Sequence, residues 1–431
     1  MNIVMMTNTY TPHVGGVARS VSSFTEAFRD RGHRVLVVAP VFPDMPADEP
    51  DVVRIPAIQN FNGSDFSVVL PVPGKLDEAL DAFAPDIIHA HHPFLIGSTA
   101  LRVAAERDCP LIFTHHTLYE AYTHYVPGDS PALKRFVAEL STSYANSADQ
   151  VFAPSQSIAD LLVSRGVETP IAVVPTGIDQ PAFANGDGAA FRKAWGLDAD
   201  APVIGHVGRL AEEKNLSYLT QALVAALAQS PQAQALIVGE GAAHDVITHQ
   251  LAQAQLSDRV ILTGALDLPA LADAYAAMDV FAFASHTETQ GMVLAEAMAA
   301  GVPVVALDAP GAREVVEAGD NGSLLAADAS AGEFAHALYE WLGWRQHDSD
   351  RVKAALATTA EAYSLSRAAE HALAIDRQCW QAEATQHDRR DSARAAWHGS
   401  LRRVQAEWSV IRGMARAAGR ALSGDSKEVE P

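Results

Sequence analysis

The chain has 431 residues, with 52 acidic side chains against 31 basic ones and a formal net charge of −21. That length exceeds one ordinary core and fits two domains of average size plus a tail. The acidic balance excludes a protein that neutralises nucleic-acid phosphates over its whole surface, and two distant cysteines, Cys109 and Cys379, exclude a disulfide framework or a thiolate zinc cluster.

The opening residues 1–7 lack a basic leader region and a long apolar core, and no later run approaches the ~18 apolar residues of a membrane span. The expectation is a cytoplasmic chain in a reducing compartment, soluble or peripheral on the inner face of the cell membrane.

In chain order, residues 3–6, 34–39, 87–90 and 111–114 are short apolar runs that predict strands, with helical patterns such as 17–31 between them. The alternation predicts a parallel sheet covered on both faces. Between the first strand and the first helix lies Val14-Gly15-Gly16-Val17, where glycine lets the backbone approach a ligand; a plain turn gives the same local sequence. The run 171–179 closes a first domain, and the irregular stretch 180–188 reads as a hinge.

A second strand–helix series starts at 202–208 and continues through 235–239, 260–262, 279–284 and 304–306. Gly239-Glu240-Gly241 looks like part of a dinucleotide fingerprint, but it lacks the third glycine and reads as a tight turn with no phosphate. After the strand ending at Gly208 come Arg209 and Lys214, cations at the carboxyl edge of a sheet where α/β proteins bind ligands, able to clamp a diphosphate. After the strand 279–284 comes a loop carrying Glu288. The Ala-rich helix 291–300 follows, with Glu296 in its early turns and free N–H groups near Gly291, Met292 and Val293. Two glutamates eight apart also occur on solvated helices; the surrounding twenty residues favour a site that holds a nucleotide sugar.

Histidines cluster after two strands of the first series: His89, His91 and His92, then His115 and His116. Zinc needs three or four ligands with supporting carboxylates, and adjacent residues on a strand point to opposite faces, so no metal is assigned. His89 and His91 receive no role.

The Glu288 and Glu296 spacing, with Arg209-Leu210 and Glu213-Lys214-Asn215, resembles the motifs of retaining glycosyltransferases of family four. The resemblance covers most of residues 1–378. It implies a GT-B architecture: two facing Rossmann-like, doubly wound domains with an interdomain cleft, followed by a C-terminal helical extension. It implies that Glu288 contacts the donor sugar, Glu296 the ribose, and Arg209 and Lys214 the diphosphate. It also implies that Gly15 and Gly16 approach the donor phosphate and sugar, that Gly264 and Leu266 belong to the base-contacting loop, and that Gln290, Gly291, Met292 and Val293 line the donor site. His116 becomes the active-site histidine near the sugar's C6 oxygen. Fixed cations then replace a divalent metal, and no cofactor is implied. Gln290 and Thr176 depart from the common pattern, where an aromatic and an Asn are frequent. The carboxylates do not fit the acid-opposite-nucleophile logic of glycoside hydrolases.

The strings at 91–95, 114–127 and 287–291 further resemble bacterial diacylglycerol α-glucosyltransferases, which implies UDP-glucose as donor and a membrane lipid as acceptor. The segment 130–144 carries only Lys134 and Arg135 as cations, fewer than a strongly basic membrane helix would. The expected domains are 1–178 on the acceptor side, 179–364 for the nucleotide sugar, a returning helix 365–384, and an extension 385–431. In that extension Trp397, Leu401, Val404, Trp408 and Ile411 form an apolar stripe among arginines. Such a helix can lie on an anionic membrane or pack on the protein or a second subunit. The expected partners are a nucleoside diphosphate sugar and a lipid or sugar acceptor, with no nucleic acid. Other readings are a GDP-mannose-dependent mannosyltransferase, a polysaccharide-precursor glycosyltransferase, a nucleotide-sugar epimerase, and a nucleotide-sugar binding module without catalysis.

Overall fold

The computed structural model describes residues 1–388 except 14, 47, 59–67, 70–74, 121–129, 287 and 345–348, together with residue 414. It divides into two compact units, Met1–Thr176 with Ala368–Pro431, and Gly177–Arg367. The arginine-flanked stripe of 397–411, residues 121–127 of the string 114–127, and Thr287 of the string 287–291 lie outside the described residues.

The first unit holds a seven-stranded parallel sheet. Its strands are β1 (Asn2–Met6), β2 (Arg34–Pro40), β3 (Val52–Ile55), β6 (Ile87–Ala90), β7 (Leu111–Thr114), β8 (Gln150–Ala153) and β9 (Ile171–Val173), ordered β3-β2-β1-β6-β7-β8-β9. A two-residue antiparallel pair, β4 (Ala57–Ile58) and β5 (Val68–Val69), stands apart. Every residue of β6, β7 and β8 is buried, which is what helices on both faces of a parallel sheet demand of the strand sequence.

The second unit repeats the plan with β10 (Val203–Val207), β11 (Gln234–Val238), β12 (Val260–Leu262), β13 (Val280–Phe283), β14 (Val304–Leu307) and β15 (Gly322–Leu325), all parallel, ordered β12-β11-β10-β13-β14-β15. The turn at 239–241 lies against the strand-end loop after β10. A Cβ on Gly239, whose φ is 144°, would sit 1.9 Å from the Gly208 carbonyl oxygen, so this turn serves a close backbone approach.

In both sheets the strand order reverses beside the first strand, between β1 and β6 and between β10 and β13. The crossovers on either side of that point leave in opposite directions, so the carboxyl ends of these paired strands border a crevice, the usual ligand position of open α/β sheets.

The helix Leu365–Asp388 begins in the second unit and belongs to the first from Ala368 onward. Ala368, Ala369, Ala372, Leu373 and Asp376 form its buried stripe, and both carboxylate oxygens of Asp376 lack a hydrogen-bond partner among the described residues. Burial pushes this carboxyl up to about 8. It is therefore neutral in the fold and ionised in the unfolded chain above about pH 4, so its contribution to stability is lost as pH rises from about 4 towards 8, at about 1.4 kcal/mol per unit. Asp376→Asn should raise the thermal unfolding midpoint at pH 8, with the two proteins converging towards pH 5. A gap of equal size at both pH values would contradict this.

Among the described residues, no helix is long and apolar enough to cross a membrane.

Candidate functional site

Strands β10 and β13 are neighbours, with Ile204 opposite Val280 and Gly205 opposite Phe281. The loops at their carboxyl ends therefore emerge side by side. After β10 come Gly208, Arg209 and a single 3-10 turn, Glu212–Lys214; after β13 comes the loop bearing Glu288, then the helix Met292–Ala299. Lys214 Nζ donates to Glu288 Oε1, with both side chains largely buried, so the cation and the carboxylate singled out in the sequence form one ion pair. Arg209 is half-exposed and its guanidinium donates to Glu213.

Asn215 joins the two loops. Its φ of 55° turns the chain into the helix Leu216–Gln229, and its amide donates to the Ala284 carbonyl at 3.2 Å and lies 3.1 Å from His286 Nε2. On the far side the Glu288 loop rests on the segment at Gly311. Gly291, with φ 67°, would set a Cβ 2.6 Å from the Gly311 carbonyl oxygen, and a Cβ on Gly311 would sit 2.9 Å from Glu288 Cβ. A side chain at either position would force the Glu288 loop and the Gly311 segment apart.

Gln290 is buried, while Met292 and Val293 start the helix partly exposed. Glu296 is 2% exposed, and its Oε2 accepts from the hydroxyl of Tyr275 at 2.8 Å. Tyr275→Phe takes one donor from a buried carboxylate and should cost about 1–3 kcal/mol of stability by urea denaturation; an unchanged midpoint would contradict this. Gly264 follows β12 and its carbonyl accepts from Gly239 N at 2.9 Å, while Leu266 packs on the core of this unit.

His206, on β10, is buried and feels the charges of both Lys214 and Glu288. Its Nδ1 donates to the Ala282 carbonyl at 3.0 Å, and its Nε2 has no partner among the described residues. Burial pulls its pKa down to about 4, Lys214 adds to the lowering, and the Ala282 bond and Glu288 oppose it, so the ring is neutral at physiological pH.

In the first unit, Gly15 precedes the helix Gly16–Asp30 in an extended conformation, with φ −178°. A Cβ on Gly16 would meet nothing within 4 Å, so no neighbouring atom demands glycine there.

The histidines stand at the β1/β6 crevice and beside it. His92 Nδ1 accepts from Asn8 N at 3.1 Å, and Asn8 Nδ2 donates to the Phe94 carbonyl at 3.1 Å, tying the loop after β1 to the loop after β6. His116, partly exposed after β7, holds its Nε2 2.9 Å from His91 Nδ1. His91 stacks on His89 at 4.4 Å between ring centres, and its Nε2 lies 3.1 Å from Met5 Sδ. Burial drives all of these rings below the usual histidine value, His89 and His92 to about 3, so they are neutral. Among the described residues, no group of three or more His, Cys, Asp or Glu stands where it could hold a metal ion.

The structure thus has two Rossmann-like units, one with a cation and a carboxylate paired at its switch point, the usual ligand position of an open α/β sheet. Residues 14–180 match Glycosyltransferase Family 4, and residues 187–357 match Glycosyl transferases group 1. A GDP-mannose-dependent alpha-mannosyltransferase of Mycobacterium tuberculosis is 30% identical over 81% of this chain and 89% of its own. An alpha-monoglucosyldiacylglycerol synthase of Streptococcus pneumoniae is 29% identical over 71% of each chain. Among solved structures, sucrose-phosphate synthase from Thermosynechococcus elongatus superposes with a TM-score of 0.68 at 22% identity, covering 88% of this chain and 99% of that one. Anabaena HepE in complex with UDP gives 0.65 at 23%, covering 87% and 99%. The chain belongs to glycosyltransferase family four, has the GT-B type of fold, and is a glycosyltransferase that uses a nucleotide sugar.

Sequence reasoning singled out the charged residues of the second unit, named Asn215 within a motif but gave it no role, and missed His206, Tyr275 and the contact between His91 and His116. The histidine run was the one visible signal among these.

Proposed function

We propose that the chain transfers a glucosyl group from UDP-glucose to the hydroxyl of a membrane lipid such as diacylglycerol, with retention at the anomeric carbon and without a metal ion. The observation that carries the donor site is the Lys214–Glu288 pair at the β10/β13 switch point. A diphosphate takes over Lys214, a sugar hydroxyl takes over Glu288, and the donor thereby replaces an ion pair without leaving either charge unpaired. Arg209 and Lys214 meet the charge that builds on the departing diphosphate, where fixed cations stabilise the transition state more than the ground state. Glu296, held by Tyr275, accepts from the ribose hydroxyls. Gly264 and Leu266 border the base and Gln290 to Val293 line the sugar and phosphates, and to Gly15, Gly16 and His116 we carry the donor contacts that the family resemblance implies.

In the transfer step the bond from C1 to the phosphate oxygen breaks, and the acceptor oxygen bonds C1 on the same face. The acceptor's proton passes to the leaving phosphate oxygen, so no side-chain base is required. Similarity to alpha-monoglucosyldiacylglycerol synthases of Streptococcus pneumoniae and Acholeplasma laidlawii, 29% and 28% identical, supports the lipid acceptor.

A GDP-mannose donor is the second reading, favoured by mannosyltransferase relatives at 30% and 31% identity that span more of the chain. Nucleoside diphosphate release from UDP-glucose, UDP-galactose and GDP-mannose, with and without diacylglycerol micelles, separates the two. Lipid-stimulated release from UDP-glucose supports the proposal; release from GDP-mannose indifferent to diacylglycerol overturns it.

A further inference from the structure

The turn Gly239-Glu240-Gly241 lacks the glycine pattern of a dinucleotide loop, yet it touches the strand-end loops on both sides of it in the second unit. Its main chain meets the loop after β10. The Glu240 carbonyl accepts from Leu210 N at 2.8 Å, the Val238 carbonyl accepts from Gly208 N at 3.0 Å, and the Leu210 carbonyl accepts from Ala243 N at 2.8 Å. Both backbone neighbours of Arg209 are thereby tied to this turn.

The Glu240 side chain meets the loop after β12 instead. Its Oε1 accepts from Ala265 N at 3.3 Å, beside the bond from Gly239 N to the Gly264 carbonyl. A Cβ on Gly264, whose φ is 76°, would lie 3.0 Å from the same Oε1, so the carboxylate rests against the turn at Gly264. β12 is an edge strand that ends at Leu262, so Ala265 N lies past the ladder, and the carboxylate supplies the acceptor that the sheet no longer does.

We infer that Glu240 is a positioning residue for nucleotide recognition, its carboxylate fixing the main chain of 264–266 where that loop meets the base. This rests on the reading of Gly264 and Leu266 as the base-contacting loop, and it adds the side chain that sets the loop's course. Main-chain groups read a base through hydrogen bonds that weaken steeply as they bend. A loop released at Ala265 therefore loses affinity for the base and discrimination between bases. Arg209 is tied to the turn's main chain, which a change of the Glu240 side chain leaves in place, so the diphosphate keeps its hold.

The first test is amide hydrogen exchange on the full chain. Whichever of UDP and GDP binds more tightly should slow exchange across 263–266, and inorganic pyrophosphate should not. Glu240→Ala should speed exchange of that stretch in the ligand-free protein, whereas Glu240→Gln, whose side-chain oxygen still accepts from Ala265 N, should keep it near the wild-type rate.

Titration calorimetry then separates base from phosphate. Glu240→Ala should weaken the tighter nucleoside diphosphate about 10-fold and narrow the gap between UDP and GDP, with pyrophosphate affinity undiminished. Glu240→Gln should restore most of the loss, as a merely structural role would not require. Equal loss in the Ala and Gln variants would mean that the charge meets the nucleotide directly, and equal loss of nucleotide and pyrophosphate that the turn serves only Arg209; either overturns the inference. Nucleotide protection of 263–266 in the wild-type protein, with affinity and exchange untouched in Glu240→Ala, overturns the inference alone. Absence of that protection in the wild-type protein overturns the base-loop reading beneath it.

Discussion

Lys214→Ala should lower kcat for glycosyl transfer by about 10²–10³, the usual cost of removing one preorganised charge from a developing anion, and should weaken binding of the free nucleoside diphosphate. The ammonium is held between two loops, by the 3-10 turn Glu212–Lys214 on its own side and by Glu288 on the other, so it is poised where two strand ends meet. Substitution leaves the Glu288 carboxylate without this cation, and that carboxylate then repels an incoming diphosphate. Both effects act on the donor in the same direction. Full activity with unchanged nucleotide affinity would remove Lys214 from the site.

Glu288→Gln should also cost about 10² in kcat, again on the scale of one lost transition-state contact, but with the opposite sign for nucleotide affinity. The neutral amide releases Lys214 from its ion pair, so a free nucleoside diphosphate, which has no sugar to offer Glu288, should bind as well as before or more tightly. Titration calorimetry with the nucleoside diphosphate, beside steady-state transfer, reads the two signs directly. Loss of nucleotide affinity in parallel with kcat would mean that Glu288 supports the phosphate site, not the sugar. Gly311 offers a check on geometry: because a Cβ there would press on Glu288 Cβ at 2.9 Å, Gly311→Ala should mimic Glu288→Gln in kcat while keeping the carboxylate charge.

The central strands and the charged loops were legible because each is a contiguous string. Val280–Phe283 announces a buried strand, and Glu288 follows it within a few residues. What such strings do not carry is which strand lies beside which. Lys214 and Glu288 are 74 residues apart and meet because β13 pairs with β10, three strands earlier in the chain. Tyr275 was invisible for a related reason: it is a fully buried aromatic on the short helix Ala270–Ala276, and nothing local says its hydroxyl faces a carboxylate. Within the two parallel sheets, the strands Val52–Ile55, Gln150–Ala153 and Gly322–Leu325 were not predicted. The first and last are sheet edges only partly buried, and the first carries Arg54, whose charge is satisfied by Glu49 and by the carbonyls of Pro40 and Thr11. The glycines at 15 and 16 were read as backbone freedom, yet neither adopts a positive φ.

The configuration of the product formed from UDP-glucose and diacylglycerol, read by proton NMR of the purified glycolipid, tests the proposal most directly. Front-face transfer in the site built on Lys214 and Glu288 predicts an α-glucoside. A β-glucoside, or UDP accompanied by free glucose and no glycolipid, would contradict it.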